Sequence, residues 1–156
     1  MGRFDEELVR NQDDEYNYRI KELGGSILLS PSIRSRYFSR SSIRLLSRQY
    51  FQYGYWKARV LQLHPGQMSA RQFVPFIFVL TLLALGLTSL FSNVAFYGLL
   101  SITLAYFLLN AAASIAAGKR KIICIPLIGL SFLTLHLSYG IGSIFGLIAF
   151  RKRWRG

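Results

Sequence analysis

Residues 72–118 carry no charged side chain, and neither do residues 122–150. A water-soluble domain does not run that far through mostly apolar residues without a charge. A soluble single-domain fold is therefore excluded, and both stretches are read as membrane segments. Charge elsewhere is sharply polarised. All seven acids (Asp5, Glu6, Glu7, Asp13, Asp14, Glu15, Glu22) fall within the first 22 residues, although the 156-residue protein has a formal net charge of +12. The N-terminus is acidic and polar, with no apolar core of a signal peptide, so the later segments direct insertion. Cys124 is the single cysteine, which excludes a disulfide framework and a cysteine-based metal site; His64 and His136 are too far apart for local zinc spacing.

The sequence divides into residues 1–39, 40–71 and 72–156. In the first part, Tyr16, Ile20 and Leu23 recur at helical spacing, which predicts a helix over Asp13–Leu23 with Gly24 as its stop. Apolar residues then alternate between Gly25 and Ser30, bounded by Gly24-Gly25 and Pro31, and this predicts a short strand. One helix and one strand cannot bury a core. The expectation is the end of an α/β domain whose beginning is missing.

From residue 34 to 71 there are eight basic residues and no acid: Arg34, Arg36, Arg40, Arg44, Arg48, Lys57, Arg59 and Arg71. Aromatic residues are interleaved among them. On a helix, Ile43, Leu46, Tyr50 and Tyr53 share one face, and Arg44, Arg48, Gln52 and Arg59 share another. Residues 40–71 thus read as a basic amphipathic interfacial segment, its aromatic face at the acyl boundary and its arginines on phosphates. Gly54 weakens that helix by about 1 kcal/mol relative to alanine. A membrane surface lies nearer than any nucleic acid, so no nucleic-acid partner is expected.

Residues 72–156 read as about three membrane segments, near 73–91, 94–117 and 122–150. Some 20 residues cross the hydrocarbon core. Ser92-Asn93 makes the turn of a hairpin, and Asn110, Ala113, Ser114, Ala117 and Gly118 offer a face for close helix packing. The last segment contains Pro126 and glycines 129, 140, 142 and 146, which invite a bend. With Lys119-Arg120-Lys121 inside, the N-terminal part is cytoplasmic. A third full crossing, expected on length, would place Arg151–Arg155 outside, against the same rule. His136 within a bilayer segment is read as a hydrogen bond across helices.

Chemistry concentrates in Asn11-Gln-Asp-Asp-Glu-Tyr-Asn-Tyr-Arg19. Carboxylates at a helix start also have a purely structural explanation, since they favour its dipole. A functional reading needs one carboxylate held as general base near an acceptor hydroxyl, with a neighbouring acid or arginine orienting it.

The order of Gly2-Arg-Phe-Asp-Glu6, the acid triplet, Arg19, Gly24-Gly25, Pro31 and Arg48-Gln-Tyr-Phe-Gln-Tyr-Gly-Tyr-Trp-Lys57 resembles the distal half of family 2 glycosyltransferases of the succinoglycan and exopolysaccharide type. The resemblance implies Asp13 as catalytic base, with Asp14 as the alternative, Glu15 as the following acid and Arg19 on the same helix. Gln12 stands where the family has Glu. The family's Gln-x-x-Arg-Trp motif falls on Gln49 to Tyr53, where Gln52 and Tyr53 replace arginine and tryptophan. That exchange implies a lost cationic clamp and single-sugar addition. Arg48, Gln49, Gln52, Tyr53 and Lys57 are the implied acceptor or phosphate-binding residues.

The resemblance further implies a mainly α membrane protein in the inner or plasma membrane: a short α/β remnant of a glycosyltransferase A-type domain, an amphipathic interfacial helix, then the membrane segments. The complete enzyme would use a polyprenyl-linked saccharide acceptor, a nucleotide-sugar donor and a divalent metal (Mg or Mn). No Asp-x-Asp metal motif occurs here. The chain itself is expected to hold no cofactor or metal and to be an incomplete part, inactive alone. The alternative is a small non-catalytic membrane adaptor that binds anionic lipid or a partner protein.

Overall fold

The computed structural model describes residues 2–38, 40–119 and 121–155, and these fold into helices joined by short connections. Helix α1 spans Gln12–Glu22, α2 Ile43–Leu63, α3 Ala70–Thr88, α4 Asn93–Gly118 and α5 Ile125–Ala149. Short 3-10 turns cover Pro65–Gln67, Ile122–Cys124 and Arg151–Arg155. The first turn of α1 holds Asp13, Asp14 and Glu15 and its last turn Arg19 and Lys21, each set opposing the helix dipole. Gly24 follows at φ 75°, a left-handed conformation that ends the helix. Ser42 caps α2, its Oγ accepting from the Leu45 amide at 3.3 Å, and Ser92 caps α4 in the same way.

The strand expected over Gly25–Ser30 does not form, and the α/β remnant with it: there is no strand among the described residues. Alternation prescribes a strand only when a neighbouring strand takes up its amides and carbonyls. No such neighbour is present among the described residues, and the segment runs as extended coil. Leu28 and Leu29 are 92% and 90% exposed, and Ile33, Tyr37 and Phe38 are exposed as well.

Helices α3, α4 and α5 are each long and apolar enough to cross a membrane. α3 and α4 form an antiparallel hairpin, with Gly98 against Leu85 and the rings of Phe78 and Tyr106 stacked 4.5 Å apart. α5 starts beside the end of α4, where Gly118 meets Ile125 and Ile128. Pro126 lies in the first turn of α5, where a missing amide costs nothing, so it begins the helix rather than bending it. In place of a bend, the glycines of α5 mark close crossings. A Cβ on Gly140 would fall 2.4 Å from the Pro75 carbonyl of α3, and one on Gly129 would meet Asn110 and Ser114 of α4.

The largest helix pairing is between α2 and the C-terminal half of α5. Ser47 and Ser138 hydroxyls lie 2.8 Å apart, Gly142 sits on the Phe51 carbonyl, and Gly146 on that of Tyr55. Gly54 belongs to the same contact, facing the Tyr139 carbonyl. What the sequence presents as a weak point in α2 is where two backbones approach. Around this seam Tyr55 and Trp56 pack on Phe150, and Phe51 on Phe145. The Gln62 amide donates to the Phe150 carbonyl at 2.9 Å, and Glu7 holds both Arg59 (3.4 Å) and Arg153 (2.8 Å).

Apolar length and packing of this kind make the chain an integral membrane protein. Washing membranes with alkaline carbonate should leave it in the pellet; its recovery in the supernatant would contradict that assignment.

Candidate functional site

The acidic helix α1 lies on α2 and gives its three carboxylates different surroundings. Glu15 is 2% exposed and forms an ion pair with Arg19 one turn on (2.6 Å) and a contact with His64 Nε2 (3.0 Å) at the end of α2. Asp14 forms an ion pair with the buried Lys57 of α2, and its carbonyl accepts from Gln67 at 2.9 Å. Asp13 is exposed and has no hydrogen-bond or ion-pair partner among the described residues. A paired carboxylate is held in one place by its partner. An unpaired one at the helix surface is available to a substrate.

The segment that precedes α1 is fastened to the same helix. Phe4 packs on Tyr16 with centroids 4.7 Å apart, the Arg3 carbonyl accepts from Arg19 at 2.8 Å, and the Gln12 amide donates to the Asp5 carbonyl at 3.3 Å. The Gly2–Glu6 segment and the acid helix, which the sequence places in order, are therefore neighbours in space. Asn11 takes φ 64°, tolerable for asparagine, and its side chain donates to the Tyr53 carbonyl at 3.2 Å. That contact ties the start of α1 to α2.

Arg48, Gln49 and Gln52 line one open recess of about 260 Å³ together with Arg10 and Arg40. Gln52 Oε1 accepts from Arg10 Nε at 3.2 Å, and Gln49 Oε1 from Arg40 Nε at 3.0 Å. Gln49 also donates to the Tyr53 hydroxyl at 2.6 Å. The glutamine that replaces the expected arginine thus holds an arginine from elsewhere, and three guanidinium groups border the recess. Lys57 and Tyr53 instead face a second cavity, of about 440 Å³, with Asp14, Tyr50, Arg71 and Tyr139. Burial, with the nearby Tyr53 and Tyr37, pushes the Tyr50 hydroxyl above its usual pKa, so it stays a neutral donor there.

Over 154 residues the chain is 26% identical to succinoglycan biosynthesis protein ExoA of Rhizobium meliloti, covering 98% of this chain and 45% of that protein. Over 87 residues it is 31% identical to the dolichyl N-acetyl-alpha-D-glucosaminyl phosphate 3-beta-D-2,3-diacetamido-2,3-dideoxy-beta-D-glucuronosyltransferase of Methanococcus voltae, covering 56% of this chain and 26% of that protein. The resemblance to glycosyltransferases holds. The chain spans less than half the length of either relative. No family model matches, and no solved structure does.

Among the described residues no cluster of three His, Cys, Asp or Glu side chains could hold a metal ion. The carboxylates nearest one another are already engaged, Asp14 by Lys57 and Glu15 by Arg19 and His64. Sequence reasoning missed Arg10 and His64 as parts of this region, and the contact that Asn11 makes with α2. Their partners lie 42, 42 and 49 residues away, and no local pattern announces such pairs.

Proposed function

We propose that this chain forms the acceptor side and membrane anchor of an inverting glycosyltransferase. The reaction would move a sugar from a nucleotide-sugar to a lipid-linked saccharide in exopolysaccharide or cell-envelope glycan synthesis. The observation that carries this reading is the division of labour on α1: Asp13 uncommitted and exposed, Asp14 and Glu15 engaged in fixing the helix. The names of the two relatives, one a succinoglycan biosynthesis protein and one a glucuronosyltransferase named for a dolichyl N-acetylglucosaminyl phosphate, support a lipid-linked saccharide as acceptor.

In this mechanism the Asp13 carboxylate accepts the proton of an acceptor hydroxyl. The oxygen attacks the anomeric carbon from the face opposite the leaving nucleoside diphosphate, which departs with the bonding pair, and configuration inverts. The chain's contribution is positioning and charge stabilisation. Arg10, Arg40 and Arg48 offer guanidinium donors to phosphate oxygens. A divalent metal at the donor phosphates, and the domain that holds it, belong to the whole enzyme. The exposed apolar residues between Ile27 and Phe38 suit docking onto such a domain. In this reading the active face and α1 lie on the cytoplasmic side of the inner or plasma membrane, in keeping with Lys119 and Lys121 on the cytoplasmic side of the spans.

The decisive experiment is transfer of radiolabelled sugar from a panel of nucleotide-sugars to polyprenyl-linked saccharides, using membranes that express the complete enzyme carrying this sequence. Labelled lipid product is the expected result, with Arg48→Ala raising the KM for acceptor several-fold in a salt-sensitive way. Membranes that transfer nothing from any donor would leave the adaptor reading in its place.

A further inference from the structure

Helix α1 is docked without an apolar seam. Among its 11 residues one is buried, and that one is the carboxylate Glu15. A helix this short is marginal by itself, so its tertiary contacts decide where it lies. At its start those contacts are Asn11 on the Tyr53 carbonyl and Asp14 on Lys57 and Gln67. Beyond Asp14, among the described residues, its polar contacts outside the N-terminal segment converge on the corner where α2 ends and the chain turns toward α3.

His64 stands at that corner as the residue that closes α2. Its Nε2 lies 3.0 Å from Glu15 Oε1, an oxygen that also takes Arg19 Nε at 2.6 Å. A carboxylate paired with a guanidinium accepts, so the imidazole donates from Nε2. Nδ1 is then left toward Glu22 at 3.7 Å, beyond hydrogen-bond length. The ring also packs on Tyr18, centroids 5.3 Å apart, and the Tyr18 hydroxyl covers Gly66 in the turn that follows. Glu15 is the most buried member of this set, His64 is largely covered and Glu22 is half exposed. The His64–Glu15 bond is therefore the one whose loss is felt, because a buried carboxylate keeps its desolvation cost when a donor is removed.

We propose that His64 is a positioning residue for Asp13: its bond to Glu15 pins α1 to the α2–α3 corner and so fixes the exposed carboxylate two residues earlier. The inference rests on the Asp13 reading above and adds a residue that takes no part in the chemistry. A base works only within hydrogen-bond reach of the proton it removes, and a helix free to rock about its first turn would turn Asp13 away. The test reads distance and turnover separately. In the nanodisc-embedded chain with Cys124→Ser, spin labels at Asn17→Cys and Ala70→Cys, both exposed positions, report the spacing of α1 from the start of α3. The native His64 should give one narrow distance distribution. His64→Leu should broaden it, and His64→Gln, whose amide donates from the place of Nε2, should restore it. His64→Asn, whose shorter amide falls at the place of Nδ1, should behave as leucine does, and Glu22→Gln should change nothing. In the complete transferase His64→Leu should lower kcat by up to about 10²-fold with the KM for nucleotide-sugar unchanged, and His64→Gln should recover most of the loss.

Narrow distributions for every His64 variant would overturn the pin. Equal broadening by glutamine and leucine would overturn it too, making the bulk of the ring the cause. Asparagine against glutamine decides the matter even if His64→Leu fails to fold. A transferase with a proven Asp13 base whose distances ignore His64 would lose the pin and keep the function. Broadening relieved by glutamine, in a protein that transfers no sugar, would keep the pin and remove the base.

Discussion

On the role proposed for Asp13, Asp13→Asn in a complete transferase carrying this sequence should lower kcat by about 10²–10⁴-fold and leave the KM for nucleotide-sugar near its native value. A general base acts on the acceptor hydroxyl as the bond forms and does not hold the donor. The amide keeps the shape of the carboxylate but cannot take the proton. Asp14→Asn should behave differently, because its partner is structural. Lys57 is 5% exposed and would lose its counter-charge, which destabilises the α1–α2 contact by an amount that screening at the half-exposed Asp14 reduces. Steady-state kinetics and melting curves on both variants separate the two roles. A crippled Asp14→Asn enzyme with native melting, beside an active Asp13→Asn enzyme, would move the base by one residue. Two active variants would reduce the triplet to a charged helix start.

The second large effect concerns folding. Gly142→Ala should lower the melting temperature of the detergent-solubilised chain, because the added methyl would lie 2.1 Å from the Phe51 carbonyl oxygen. That atom is backbone and cannot step aside, so α2 and α5 must separate along the seam. Overpacking of this sort costs about 1–3 kcal/mol. Gly54→Ala and Gly146→Ala press on carbonyls at 2.1 and 2.3 Å and should act in the same direction. Gly86→Ala is the matched control: nothing lies within 4 Å of its methyl, and the better helix propensity should stabilise α3 by up to about 1 kcal/mol. Equal melting of Gly142→Ala and Gly86→Ala, read by fluorescence-detected size exclusion, would refute the seam.

Those glycines show where sequence reading stops. The helices themselves were legible: Tyr16 and Ile20 gave α1 its period, the uncharged runs gave α3 to α5, and Ser92-Asn93 marked the turn between α3 and α4. Helical period and hydropathy are properties of neighbours in the chain. Whether a glycine is a flaw or a contact depends on a residue far away, as Gly54 and Ser143 illustrate. The strand at Gly25–Ser30 failed for the same reason, since alternation is local but a ladder partner is not. In the site, the chemistry of the acid triplet was legible as a cluster. Its sorting into one free and two committed carboxylates was not, because Lys57 and His64 come from the far end of another helix.

The grip of Glu7 on Arg59 and Arg153 closes the chain into a ring. The opening segment and the basic tail share one face, reinforced by the Gln62–Phe150 contact, while the bend at Ser89–Ser92 is the part of the α3–α4 hairpin that points away. α5 leaves the end of α4 and brings its last turns onto α2, where Gly142 and Gly146 rest on the Phe51 and Tyr55 carbonyls, so this one helix ties the apolar hairpin to the helix that carries the site.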